Sequence, residues 1–518
     1  MEITRMISKN YYITTPIYYV NDVPHIGHAY TSIAADVIAR YKRLSGYDVL
    51  YLTGTDEHGL KIEEAAKTAN KNPQEFVNDI VVRFKELKET LNLSNDDFIR
   101  TTDKRHIDFV QKAYQKLYEK GYIYESVYEG LYCVGCEGYF TNKDLVDGKC
   151  PIHQKEPIVI KEKGYFFKLS SFREKLIDAY ENNPNLISPK GKNLEILNRL
   201  KNEELRDLYI SRKNFKWGVP LPWDKECVLW VWSEALFNYL SVLEEIDGEK
   251  HKKYWPADVH LIGKDILWFH TVIWHSFLLA LELPLPKQVF AHGWWTISGQ
   301  KMSKSLGNVV YPGDIVKKYS ADVFRYTLMK EISFGSDGDF SEERIIQYQN
   351  SDFADNLGNL VNRTLVMTKK YFDGVIPKPG DLEEIDKELI EKANSVIDSY
   401  SKNMDEFKFN IVLTDIWALL DNANAYINKT EPWNLFKAEK IEKLQTIIYN
   451  LNEVIRIIGI LISPFISETA EKIESIYNQK ITTLDDAKYG ILVPGFKLLK
   501  DNLILFNKIK IEDNIKKE

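Results

Sequence analysis

Short apolar strands alternate with amphipathic helices through the first half of this chain, and that alternation leaves few architectures open. "YYITTPIYYV" reads as a strand ending at Pro16. "SIAADVIARYKRL" has helical spacing, with Ile33, Ala34, Val37, Ile38 and Tyr41 on one face. "YDVLYLTGTDEHG" is a second buried strand running into a turn. The alternation returns in "DVHLIGKD", "ILWFHTVIWHSFLLALEL" and "KQVFAHGWW". Strands that recur with a helix between them pair in parallel. The expected fold class is therefore α/β, with a doubly wound, Rossmann-like parallel sheet.

Two further regions break the pattern. Residues 124–225 are rich in Gly, Lys, Tyr and Cys and read as an insertion, because the β–α pattern resumes afterwards. From about residue 351 the strand signal fades. Val412, Ile416, Leu419, Leu420 and Ala423 share one helical face, and Ile441, Leu444, Ile448, Leu451 and Ile455 share another, so an all-α bundle is expected. The division is 1–123 and 226–292 for the two halves of the sheet domain, 124–225 for the insertion, 293–350 for a connecting segment and 351–518 for the helical domain. The last dozen residues are charged and are expected to be peripheral. With 518 residues, roughly three domains are in line with this division.

A net charge of −7 excludes a bulk polyanion binder, so any nucleic acid must be held by local patches. No signal peptide is read at the N-terminus. The longest apolar run, Ile457 to Ile466, is interrupted by Gly459, Ser463 and Pro464, so no membrane partner is expected. Four cysteines in so long a chain point away from a disulfide scaffold and towards the cytoplasm. Three of them form Cys133-x2-Cys136 and, thirteen residues later, Cys150-x2-His153. Two chelating pairs of soft and imidazole ligands suit one tetrahedral, structural Zn²⁺. Cys227 lies apart, at an apolar helix start, and reads as a core thiol.

In an open parallel sheet, ligands sit beyond the carboxyl ends of the strands. "PHIGH", Pro24 to His28, falls there, where the first strand gives way to the first helix. His25 and His28 lie one helical turn apart, at a helix start that offers N–H groups to a phosphate. Gly27, lacking a side chain, lets a flat base approach the backbone. Taken alone, two surface histidines near a loop are an equal reading. "GQKMSKSLGN", Gly299 to Asn308, then places Lys301 and Lys304 around Met302 and Ser303 in a glycine-flanked loop. Two long cationic stems suit a leaving pyrophosphate.

These two strings, in this order, resemble the signature pair of the class I aminoacyl-tRNA synthetases, and the longer "TTPIYYVNDVPHIGH" resembles the methionyl branch. The resemblance covers nearly the whole chain. It implies a ligase that activates L-methionine with ATP and Mg²⁺, releases pyrophosphate, and moves the methionyl group to the 3′ end of initiator and elongator tRNA(Met). It implies catalytic and ATP-binding roles for His25, Gly27, His28, Lys301, Ser303 and Lys304. It implies a methionine pocket from Ile17, Tyr19, Asp56, Trp232, Ala235, Tyr239, Ile266, His270 and Trp274, with Asp56 on the substrate ammonium. Asp56 also reads as a turn residue capping the next helix, and the aromatic residues, taken singly, read as core. Where an aromatic or aliphatic residue and an Asp are usual in the family, this chain has Ser233 and Glu234, which leaves the role of Glu234 open.

Asn359, Arg363, Pro432 and Trp433 match the family's readers of the CAU anticodon, although the sequence alone allows Trp433 in the core. Asp322 to Tyr326 resembles the segment joining the two domains. The leucine, isoleucine and valine enzymes carry a much larger editing insertion, and a cysteinyl enzyme carries a cysteine near the first strand; this chain has neither. The family's C-terminal dimerising module is not matched, so a monomer is expected. Another class I ligase, or a non-catalytic tRNA-binding relative, are the alternatives.

Overall fold

The computed structural model describes residues 9–20, 22–140, 142–152, 154–213, 216–302, 307–477, 482–500 and 502–510. His153, Ser303 and Lys304 lie outside the described residues, as does the side chain of Lys301.

Seven strands form the main sheet: β1 (Asn10–Thr14), β2 (Tyr18–Tyr19), β3 (Asp48–Asp56), β4 (Asp97–Arg100), β5 (Ile187–Ser188), β6 (Val259–Gly263) and β7 (Val289–His292). Every pairing among them is parallel. Leu52 of β3 pairs with both Thr14 of β1 and Asp97 of β4, so β4 lies on the far side of β3 from β1. On the other side of β1 come β6, β7 and β5. The order of strands therefore reverses between β1 and β6, where a doubly wound sheet opens its ligand crevice. The expected first strand is split: β1 stops at Thr14 and β2 resumes after Pro16, because proline cannot donate to the ladder. Helix α1 (Ile26–Leu44) starts earlier than the quoted string. All five residues of its expected face are buried.

The 124–225 stretch folds around an antiparallel sheet in which Ile123–Cys133 pairs with Ile158–Phe167 and with Gly138–Phe140. It is not wholly separate from the main sheet, since β5 comes from within it and pairs with β7 at the sheet edge. Its two-residue length gave too little periodicity to be read from the sequence. Cys227 is buried as expected, but it precedes a two-residue strand, Val228–Leu229, rather than a helix.

The remaining elements used below are helices α2 (Leu60–Thr68), α3 (Pro73–Thr90), α4 (Ala321–Lys330), α5 (Asn359–Phe372), α6 (Phe409–Thr430), α7 (Pro432–Lys437), α8 (Ile441–Ile462) and α9 (Ser467–Tyr477). The expected face of α6 is entirely buried; on α8, four of the five expected residues are. Ile441 is 40% exposed, since it starts the helix and has no neighbouring turn over it. Among the described residues, α8 alone is long and apolar enough to cross a membrane, and 94% of its most apolar window is buried inside the bundle. Of the last dozen residues 507–510 are described; three of them are exposed, as expected, and Ile509 is tethered. Asn350 holds Ile509 through both its amide oxygen (2.8 Å) and its amide nitrogen (3.0 Å), and Leu505 is buried.

Candidate active site

The chain on either side of the lysine segment meets the histidine turn at the start of α1. His25 is the N-cap of α1, with its Nδ1 accepting from Gly27 N (3.1 Å), while His28 Nδ1 accepts from His25 N (3.1 Å). This reciprocal cap closes the helix start and puts the proton of each neutral ring on Nε2. The rings lie 3.9 Å apart. A Cβ on Gly27 would fall 2.9 Å from the His25 ring, so the glycine is what lets that ring fold back over the turn. His28 rests against Tyr18 and Phe84, and burial, then the neighbouring His25, push its pKa well below the ordinary value.

The lysine segment leaves this helix start and returns to it. After β7, Trp295–Ile297 pairs antiparallel with Gln300–Lys301, and Trp295 packs edge-on to Tyr30 of α1 at 5.6 Å. On the way back, Val310 accepts a hydrogen bond from the backbone N–H of Ile26 (3.0 Å). Thr31 Oγ1 is hydrogen-bonded to His292 Nε2 at 2.7 Å, which fastens the end of β7 to the same helix.

The "GTDEHG" turn at the end of β3 assigns its three polar residues differently. Glu57 is buried and gripped by Arg100, Nε to Oε1 at 2.7 Å and Nη2 to Oε2 at 2.9 Å. His58 donates from Nδ1 to Glu234 (2.8 Å), and its carbonyl accepts from the Tyr19 hydroxyl (3.0 Å). Asp56 is buried, and its Oδ1 has no hydrogen-bond partner. It does not cap the next helix, because Gly59 is the N-cap of α2 and the side chain that accepts from the first turn, at Lys61 N, is Glu137 (2.8 Å). Burial, then the carboxylates of Glu234 and Glu137, push the Asp56 pKa well above its ordinary value. A buried carboxylate oxygen without a partner, held among other acids, is a seat for a small cation.

Glu234 has a definite role in this arrangement. It is fully buried, and its second oxygen accepts from His106 Nε2 (2.8 Å). Burial works against its charge, but the N–H groups of His58 and His106 outweigh it and hold its pKa below the ordinary value. The longer glutamate stem bridges two histidines that lie on different elements. Sequence reading did not identify His106, which carries no local signal.

The aromatic residues form a floor and a lip. Tyr239, His270 and Trp274 are buried. His270 Nδ1 donates to the carbonyl of Ile266 (2.9 Å), so its Nε2 accepts from the Tyr239 hydroxyl (2.7 Å). Burial lowers the His270 pKa to about 4, so the ring is neutral at pH 7. Trp274 Nε1 donates to His260, which is itself hydrogen-bonded to Thr14 at the end of β1. Ala235 is buried beneath them. Ile17, Tyr19, Trp232 and Ile266 are half-buried at the lip, and Trp232 stacks on Phe269 at 4.1 Å. The helix carrying His270 includes a π-helical turn, Phe269–Ile273, a distortion common at functional sites.

Cys133, Cys136 and Cys150 bring their sulfurs within 4.8 Å of one another, and none of the four cysteines is in a disulfide. A tetrahedral site with bonds of ~2.3 Å has sulfur–sulfur edges of about 3.8 Å. Cys136 and Cys150 stand 3.5 Å apart, so this donor set fits a metal ion. Trp232 and Trp230, beside the aromatic lip, donate to the carbonyls of Cys136 (3.2 Å) and Glu137 (2.6 Å).

In the helical region Asn359 is exposed and Arg363 is half-buried, donating to Asn428 of α6 (3.2 Å). Pro432 is buried as the first residue of α7. Trp433, beside it, is 37% exposed and so stands outside the core.

A family model described as "tRNA synthetases class I (M)" matches residues 11–156 and 140–365, and one described as "Anticodon binding domain of methionyl tRNA ligase" matches 376–517. The chain is 49% identical to a methionine–tRNA ligase of Caldanaerobacter subterraneus subsp. tengcongensis, over 98% of this chain and 80% of that protein. It is 43% identical to one from Bacillus subtilis, over 98% and 79%. The structure of Mycobacterium tuberculosis methionyl-tRNA synthetase with methionyl-adenylate superposes with a TM-score of 0.93 at 38% identity, covering 96% of this chain and 99% of that one. The apo form of that enzyme gives 0.86 at 36% identity, covering 97% and 99%.

Proposed function

The chain belongs to the methionyl-tRNA synthetases, and from that premise we propose how its residues divide the work of a methionine–tRNA ligase. In this reaction the methionine carboxylate attacks the α-phosphorus of ATP and pyrophosphate leaves. The methionyl group then passes from the adenylate to a ribose hydroxyl at the 3′ end of tRNA. No protein nucleophile is needed; positioning and charge stabilisation suffice.

His25 and His28 donate from Nε2 to charge that builds on the phosphates, with Gly27 leaving room for the base. Lys301, Ser303 and Lys304 take the leaving pyrophosphate as their loop closes. The observation that carries this pairing is the Ile26–Val310 bond, which seats the loop's return limb on the histidine turn. Asp56 takes the methionine ammonium. Ile17, Tyr19, Trp232, Ala235, Tyr239, Ile266, His270 and Trp274 surround the thioether, whose sulfur gains roughly 0.3–1.5 kcal/mol per aromatic contact. Mg²⁺ accompanies ATP and neutralises phosphate charge.

An exchange assay over twenty amino acids tests the assignment. Methionine alone is expected to support ATP–pyrophosphate exchange. Exchange with leucine or cysteine instead would assign the pocket to another class I ligase. No exchange at all would leave a tRNA-binding relative.

Cys133, Cys136, Cys150 and His153 are proposed to hold one structural Zn²⁺; the converging sulfurs support the first three. Metal analysis of the purified protein is expected to find about one zinc per chain. Less than half an equivalent would count against the site.

Asn359, Arg363, Pro432 and Trp433 are proposed to serve the CAU anticodon, and the exposure of Trp433 supports stacking on an unpaired base. Stacking contributes roughly 1–3 kcal/mol, so Trp433→Ala is expected to cut aminoacylation about 5- to 150-fold and leave exchange near normal. Equal loss of both activities would make Trp433 a residue of the fold alone. The proposed domain division is that given by the sequence, apart from the strand β5. A cytoplasmic location and a monomeric enzyme complete the reading; sedimentation of the purified protein tests the latter.

A further inference from the structure

The carboxylate of Glu137 lies between the cysteine loop and the aromatic lip, and neither the reaction nor the metal site accounts for it. Glu137 is 3% exposed. Its Oε1 accepts from the backbone N–H of Lys61 (2.8 Å) and shares the single Tyr19 hydroxyl proton, at 3.3 Å, with the His58 carbonyl (3.0 Å), and its Oε2 accepts from the Tyr132 hydroxyl. Its own carbonyl accepts from Trp230, and the carbonyl just before it accepts from Trp232. One dipeptide, Cys136–Glu137, thus touches two residues of the lip, Tyr19 and Trp232, and the first turn of α2.

Two backbone features show that the close approach is built in. Glu137 has φ +50°, a left-handed conformation that costs a non-glycine residue energy unless its surroundings hold it there. Opposite it, Gly59 has φ +106°, and a Cβ there would lie 2.8 Å from both Glu137 Oε1 and the Tyr19 hydroxyl. Carboxylate, tyrosine and turn meet only because that residue has no side chain. The chemistry suits the site as well, because all three groups facing the side chain can donate to its two oxygens.

We propose that Glu137 is a positioning residue for methionine, its side chain fixing Tyr19 and the turn after Asp56 while the adjoining Cys136 carbonyl holds Trp232, so that the fold of the cysteine loop sets methionine affinity. The inference rests on the reading of Tyr19, Asp56 and Trp232 as the methionine site.

The test measures methionine binding directly, by equilibrium dialysis, beside exchange kinetics and zinc content. Glu137→Ala is expected to raise the methionine Kd and KM about 10- to 100-fold, the loss of hydrogen bonds to a charged acceptor. The KM for ATP should stay within about 2-fold, and zinc should remain near one per chain. Glu137→Gln is expected to restore methionine Kd to within about 3-fold of wild type, because its amide oxygen can face Lys61 and its NH₂ can donate to the Tyr132 hydroxyl. Tyr132→Phe removes one support from outside the pocket and is expected to weaken methionine about 3- to 10-fold. It decides the matter if Glu137→Ala does not fold.

Wild-type methionine affinity in folded, zinc-bearing Glu137→Ala, or in Tyr132→Phe where the alanine variant does not fold, would overturn the inference. So would equal losses for methionine and ATP. If the wild-type protein itself binds no methionine, or if Asp56→Ala binds it normally, the reading of the site fails instead.

Discussion

Asp56→Ala is expected to lower kcat/KM for methionine in ATP–pyrophosphate exchange by about 150- to 5,000-fold. Removing one partner of a buried ion pair costs roughly 3–5 kcal/mol, because the other charge is left stranded in a low dielectric. On the proposed assignment the stranded charge is the substrate ammonium. Asp56 is 5% exposed and its Oδ1 has no partner, whereas the oxygens of the neighbouring Glu234 and Glu137 are already hydrogen-bonded. The KM for ATP should change little, since the phosphate segment lies on α1 and the lysine loop. Asp56→Asn keeps the shape and loses the charge, and should fall nearly as far. The raised pKa of Asp56 adds a pH signature. The carboxyl must be ionised to hold the ammonium, so methionine KM should climb on acidification at a pH above the ordinary carboxylate range. A fall below about 5-fold for the alanine variant would remove Asp56 from the ammonium site.

Arg325→Ala should produce the largest loss of stability. The guanidinium is fully buried on α4 and joins three parts of the chain. Nη2 donates to Asp36 of α1 (2.7 Å) and to the Pro464 carbonyl (3.0 Å), Nε donates to the Phe465 carbonyl (2.7 Å), and Nη1 donates to the Leu91 carbonyl after α3 (3.0 Å). Asp36 is buried, yet Arg325 and Arg40 outweigh that burial and hold its pKa below the ordinary value. Three residues before Arg325, Asp322 accepts from the backbone N–H and hydroxyl of Thr469 on α9, at 2.7 and 2.6 Å. This segment therefore bolts the sheet domain to the helical region. Truncation leaves three buried carbonyls without their donor and takes from the buried Asp36 carboxylate one of its two arginines, Arg40 remaining at 2.7 Å, at a cost of about 3–5 kcal/mol. Urea denaturation should show an earlier midpoint, and Arg325→Lys should rescue little, since an ammonium cannot reproduce the planar fork. A wild-type midpoint in Arg325→Ala would refute the account.

Glu234 and Glu137 mark where sequence reading ran out. Glu234 was visible as a departure within "WSEA", but its partners His58 and His106 lie 176 and 128 residues away. Glu137 follows Cys136 directly, and its tie to Tyr19 spans 118 residues. The sheet-edge strand Ile187–Ser188 and the exposed Ile441 were missed for a related reason, because a two-residue strand and the first residue of a helix carry no periodicity of their own.

The sequence by itself determined what a few neighbouring residues can encode. Two histidines one turn apart mark a helix start, Cys-x2-Cys pairs sulfurs across a tight turn, and repeats of apolar side chains choose the face that a helix buries. Only the tertiary structure decided which buried carboxylate oxygens are paired and which, such as Asp56 Oδ1, stay open. Pairing depends on distances between residues more than a hundred positions apart, and those distances exist only once the sheet, the cysteine loop and the helices have packed.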